Sequence, residues 1–334
     1  MAVPAFLKRP ETGSAPPLLD FDRISSHNLF MPLKRILFLL LVPFSFLVTL
    51  SLYAETTVQI PAQYGEIIYR FNEKSPNQIF IIGISHRDAL TCLNGANTSK
   101  VQAEIYKIGD WLIHNQGLEL LLPEGFFKSP SAGVEKKNVK ASEKVGSCTS
   151  LDADTLERRL SDNDVYVNAE MLLKETHPLR LAQIEDKELY DAVRTHIVKL
   201  VNHQGSASDY SLLSAKLGYL QEKRSAAMLQ KIPGVVDAEF QQGNIRSKRA
   251  IFTVGLFHLH EIIRYLNQNR IIIHAPESRS NSIQDDNAEL NLSKENFGVS
   301  VIIPKTLAGD QKTLEINQLD EIVKSCQRNS LVPH

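Results

Sequence analysis

The 334-residue chain has only three cysteines, one tryptophan and 7% aromatic residues. Three cysteines are too few for a disulfide framework and allow one bridge at most. No Cys-x-x-Cys occurs, and no His-Glu-x-x-His, so neither a dithiol motif nor a zincin helix is present. An excess of one charge is also missing. With 37 Lys and Arg against 38 Asp and Glu, the net charge is −1. No basic stripe interleaved with aromatics appears, which argues against a nucleic-acid partner. Apart from one pair of similar units described below, there is no internal repeat. What remains is ordinary globular composition, 43% hydrophobic and 22% charged.

One long apolar run exists, at 36–53, broken by Pro43 and three serine or threonine positions. It follows the basic Lys34-Arg35 and ends at Ala54, the layout of a secretory signal. An uncleaved membrane anchor is the competing reading, since 18 residues is close to the ~20 that a span needs. Residues 1–30 are proline-rich and pattern-free, so translation is expected to start at Met31, with 31–54 as signal or anchor. Residues 55–334 are then one exported domain, periplasmic or extracellular. Any membrane contact would run through 36–53. Removing 1–54 leaves 32 basic and 35 acidic residues. All three cysteines lie in the exported part. Cys92–Cys148 is the candidate bridge, and three unpaired thiols, Cys326 included, are the alternative.

The strongest signal is Gln78-Ile-Phe-Ile-Ile-Gly83-Ile-Ser-His86, a continuous apolar run ending in Gly-x-x-His. Such a run suits a strand buried on both faces under helices. The same pattern returns as Ala250-Ile-Phe-Thr-Val-Gly255-Leu-Phe-His258. Between them, 100–115 carries apolar residues at helical spacing, and 118–123 reads as a second buried strand ending at Glu124. A first strand at 66–71 is expected to form a hairpin with 78–83. Residues 126–150 read as a surface loop. A strand at 179–184 ends on Glu185-Asp186, with Asp186 as a helix N-cap. A long helix at 210–231 should stop at Pro233-Gly234. Farther on, 271–274 reads as a strand, 277–295 as a polar loop, 299–303 as an edge strand and 314–326 as a terminal helix. These elements predict an α/β fold: a mixed, mostly parallel sheet flanked by helices, with a helical insertion between the two Gly-x-x-His strands. The core is expected over about 65–275, with an insertion at about 126–178.

If the strands are parallel, His86, Glu124, Glu185 or Asp186, and His258 share one sheet edge, where α/β sheets bind ligands. Two imidazoles and one or two carboxylates could hold a divalent ion such as zinc, manganese or cobalt. The same set could work without metal, with a histidine as base and a glutamate as its partner. His260 is expected to be a solvated neighbour. His114, His177, His196, His203 and His274 show no partner pattern and read as structural or exposed.

The order Gly-Ile-Ser-His86, strand-Glu124, Ile184-Glu185, Glu222-Lys223-Arg224-Ser225 and Gly-Leu-Phe-His258 resembles the TraB/PrgY/GumN family, which includes the Tiki proteins. The resemblance covers most of 65–275. It departs from the family at Ser225, where asparagine is usual, and in the long insertion after Glu124. It implies a metal-dependent, peptidase-like hydrolase acting on a peptide or small molecule. His86, Glu124, His258 and Arg224 would be the catalytic set, and His86, Glu124, His258 and Glu185 the metal set. Similar folds include ChaN-like haem-binding lipoproteins and erythromycin esterases, so a non-catalytic haem- or peptide-binding protein is the alternative.

Overall fold

The computed structural model describes residues 58–85, 97–128, 168–273 and 286–330. The sequence regions assigned to the signal or anchor, His86, Cys92, Cys148 and His274 lie outside these described residues. Among the described residues, no helix is long and apolar enough to cross a membrane.

In chain order the strands are β1 (Gly65–Phe71), β2 (Asn77–Ile84), β3 (Leu120–Pro123), β4 (Arg180–Leu181), β5 (Arg249–Gly255), β6 (Arg270–Ile273), β7 (Asp286–Glu289) and β8 (Phe297–Pro304). The helices are α1 (Thr98–Gln116), α2 (Ala169–Thr176), α3 (Lys187–Val201), α4 (Ala207–Gln241), α5 (Leu259–Gln268), α6 (Asn291–Lys294), α7 (Lys305–Ala308), α8 (Gln311–Ile316) and α9 (Asp320–Ser330). A six-stranded sheet has the order β1-β8-β2-β5-β3-β4, and β6 pairs with β7 separately. Only β1 runs antiparallel to its neighbour; the other pairings in the large sheet are parallel. The fold is therefore α/β with a mixed, mostly parallel sheet, and α2, α3 and α4 lie between the two Gly-x-x-His strands in sequence.

Continuous burial of β2 and β5 makes them the sheet's centre. Ile79, Phe80, Ile81, Ile82, Ile251, Phe252 and Val254 have no exposed surface. Their register pairs Ile84 with Gly255, so the two Gly-x-x-His units start from adjacent, parallel strand ends. The helix α1 packs on β2 and β8 through Val101, Ile105, Ile108 and Leu112, one apolar stripe at helical spacing.

Several expectations are corrected. First, β1 and β2 form no hairpin, because β8 lies between them. The connection from β1 is instead held from across the sheet, where Ser75 Oγ donates to Asn296 O at 2.5 Å. Second, 299–303 is part of an internal strand: every residue of β8 is buried, as a strand covered on both faces requires. The sheet thus takes a central strand from beyond residue 275. Third, the helix expected to stop at Pro233 continues to Gln241. Proline removes one backbone bond, but Leu229, Ile232 and Val236 are wholly buried around it, and that packing carries the helix through. Fourth, the strand at 179–184 shortens to two residues, 277–295 contains β7 and α6, and the terminal helix divides into α8 and α9 around Gln318, whose φ of 56 interrupts the helix. Asp186 caps α3 as expected, accepting from Glu188 N and Leu189 N at 3.0 and 3.2 Å.

Gly83 owes its place to close packing, since its φ is not positive. A Cβ there would lie 2.6 Å from Leu259 Cδ1 and 2.9 Å from Leu256 Cδ2, side chains of the turn that carries His258. Gly83→Ala should cost about 1–3 kcal/mol in urea unfolding. Gly218→Ala, in α4 where nothing lies within 4 Å of the added carbon, should instead stabilise by about 0.4–1 kcal/mol.

Candidate functional site

Four elements meet beyond the C-terminal ends of the parallel strands. β3 delivers Glu124, the segment from β4 to the Asp186 cap delivers Glu185, α4 delivers Arg224 and Ser225, and β5 with the single turn Leu256–His258 delivers His258. Arg224 lies on the same helix stripe as Leu220 and Met228, so an apolar face carries a cation into the interior.

The guanidinium is the hub. Nε donates to Glu185 Oε1 and Nη2 to Glu185 Oε2 at 2.9 Å, a two-pronged pair. Nη2 also lies 2.7 Å from Glu124 Oε1, and Nη1 lies 3.3 Å from His258 Nε2. The Tyr190 ring covers it, with its centroid 5.1 Å away. Backbone donors fill the other sides: Gly125 N donates to Glu185 Oε2 at 2.8 Å, and Gly255 N to Glu124 Oε2 at 2.5 Å. Glu185, Arg224, Ser225 and His258 are all at most 7% exposed. Burial works against the Arg224 charge, but the Glu185 and Glu124 carboxylates outweigh it and hold its pKa above the ordinary value.

The imidazole is fixed by a chain of hydrogen bonds. Ser225 Oγ donates to Gln221 O at 3.1 Å, so its lone pair faces His258 Nδ1 at 2.7 Å and accepts the proton there. Nε2 then carries the lone pair, and Glu124 Oε1 lies 3.5 Å from it.

Glu124, Glu185, Arg224 and His258, all singled out in the sequence, are therefore brought together. Ser85, the residue before His86, accepts from Gln102 Nε2 at 3.0 Å through its carbonyl. Asp186 stays at its cap, and His260 is half-buried. Cys326 Sγ donates to Ile67 O at 3.1 Å. The sequence reading missed Ser225 as the partner that sets the His258 tautomer; one turn of helix from Gln221, it has no local signature beyond being a serine.

A second cluster corrects the reading of His114 and His177 as partnerless. Asp110, His114 and His177 could hold a metal ion: one ligating atom from each lies within 4.8 Å of the other two. The Asp110/His114 spacing of four on a helix was visible in the sequence; the arrival of His177 was not.

No family model, curated protein or solved structure matches this chain.

Two outcomes follow from the charges. Arg224→Met would leave both carboxylates buried without their cation, and should cost about 3–5 kcal/mol in denaturant unfolding. Glu261, on α5, has a buried Oε2 with no hydrogen-bond partner among the described residues. Burial raises its pKa above 4.5, against the nearby His258 and Arg264. A raised folded pKa gives a contribution that is full below the unfolded value and lost as pH rises through the folded one. Glu261→Gln should therefore be more stable than the parent at neutral pH, and that advantage should vanish on titration below pH 4.5.

Proposed function

We propose that the chain is an exported hydrolase of the TraB/PrgY/GumN type, acting on a peptide bond, with His258 as the group that takes up and returns the proton. One observation carries this reading: His258, Glu124 and Arg224, far apart in sequence, converge at the strand ends with the imidazole held in a single tautomer. The export component rests on the basic-then-apolar layout of 34–54.

The chemistry follows from the proton placement. Nδ1–H is engaged by Ser225, so Nε2 is the basic nitrogen. A water that takes the place of the Arg224 Nη1 contact at Nε2 gives its proton to the ring as its oxygen bonds the peptide carbonyl carbon. The imidazolium, offset by Glu124 at 3.5 Å, returns that proton to the leaving amine as the C–N bond breaks. Arg224 supplies donors where an oxyanion would develop, in surroundings with little water to weaken them. Phe257, 46% exposed and edge-on to His258 with centroids 5.9 Å apart, offers an apolar surface to a substrate side chain.

The divalent ion that the resemblance implies does not fit the described residues as they are placed. Arg224 already lies 2.7 Å from Glu124 Oε1 and 3.3 Å from His258 Nε2, so a second cation at that point would meet the guanidinium. Both oxygens of Glu185 are engaged as well. The reaction then runs on water and protein groups alone.

A quenched-fluorescence peptide library, incubated with the purified chain, tests the proposal. Cleavage is expected, with turnover at least about 100-fold lower in Glu124→Gln and His258→Gln. Circular dichroism should show both variants folded. A parent chain that cleaves nothing, or a folded His258→Gln that cleaves normally, would refute the hydrolase reading.

A further inference from the structure

Asp110 and His114 lie four residues apart near the end of α1, and His177 follows α2. Two imidazole nitrogens converge on one carboxylate oxygen: His177 Nε2 lies 3.0 Å and His114 Nδ1 3.4 Å from Asp110 Oδ1. Neighbouring ligands of a tetrahedral ion with bonds near 2.0–2.1 Å stand roughly 3.3 Å apart, so both separations suit a shared ion. The side chains of Asp110 and His177 are 19% and 10% exposed, while His114 is 64% exposed and faces solvent. The carboxylate and one imidazole are thus held in place, and the third donor can adjust. His114 Nδ1 also lies 2.9 Å from Asp110 O, a contact that ligation by this nitrogen would exchange for the metal bond. The helix C-terminus adds partial negative charge next to His114, which favours a cation.

We propose that Asp110, His114 and His177 bind a divalent transition-metal ion of the zinc and cobalt class, with a fourth position left to water. Two imidazoles and one carboxylate favour such ions over calcium or magnesium, which take oxygen ligands. The site is separate from the His258 cluster. His114 precedes β3 and His177 precedes β4, whereas Glu124 and His258 follow β3 and β5. Because these strands are parallel, the two clusters sit at opposite edges of the sheet. The four residues of β3 alone span roughly 13 Å. The ion would clamp α1 to the link between α2 and β4, a junction otherwise tied by the Asp110–His177 hydrogen bond.

Cobalt(II) provides the probe, because tetrahedral cobalt absorbs visibly and can be displaced by zinc. Titrating the purified full chain should give one equivalent of visible absorption, bleached by Zn2+, with a rise in unfolding temperature on loading. His114→Ala removes a mostly exposed side chain and so leaves the fold intact; it should weaken cobalt binding by at least about 10-fold, as should His177→Ala. His258→Ala should bind cobalt as the parent does. No absorption in the parent, undiminished binding in His114→Ala, or loss of binding in His258→Ala would each overturn the proposal.

Discussion

A single guanidinium, held between the buried Glu185 and the partly buried Glu124, ties together the C-terminal ends of β3, β4 and β5. Arg224 touches residues from β3, from the segment after β4 and from the turn after β5, and it is carried by a helix that belongs to none of them. Burying three charged groups is costly, and the pairing offsets that cost more than it adds net stability. Its structural effect is geometric. Each strand end has a defined distance to one common point, so Glu124 and His258 have defined distances to each other. Glu124 extends the arrangement by accepting from Gly255 N, the last residue of β5, directly before the turn that carries His258.

The charge count at that point bears on reactivity. Two carboxylates and one guanidinium leave a single negative charge in surroundings that hold little water. Ser225 leaves the His258 lone pair on Nε2, the nitrogen facing Glu124. Tautomer, charge and position are thus set by different residues, Ser225, Glu124 and Arg224, each from a local structure that the sequence forms for its own reasons. The Asp110–His114–His177 cluster at the other edge follows a different rule. There the carboxylate oxygen of Asp110 lies within reach of two imidazoles, 3.0 Å from His177 and 3.4 Å from His114.

Much of this was legible in the sequence. The central strands announce themselves as apolar runs, and Gly83 marks a close approach, although the reason is the packing of Leu256 and Leu259 rather than a turn. Glu124 and His258 were legible because each directly follows such a run, and Arg224 because of the family resemblance. The rest depends on non-local partners. Nothing near 297–304 says that this strand will insert between β1 and β2, since strand order is settled by which edges meet. Pro233 reads locally as a stop, and only the buried residues on either side of it override that signal. His177 acquires a role through Asp110, 67 positions earlier, a pairing that no spacing rule reaches.

The 35 residues of α4 extend over roughly 50 Å. Burial along this rod is uneven: before Leu220 its side chains are exposed or only partly covered, and from Leu220 onward one face packs inward. Arg224 and Ser225 stand at the outer end of the buried portion, and α3, joined to α4 by residues 202–206, packs along the same helix. A load applied to the outer turns, which display Tyr210 and Leu212 to solvent, would reach the guanidinium and the hydroxyl beside His258 through that helix pair.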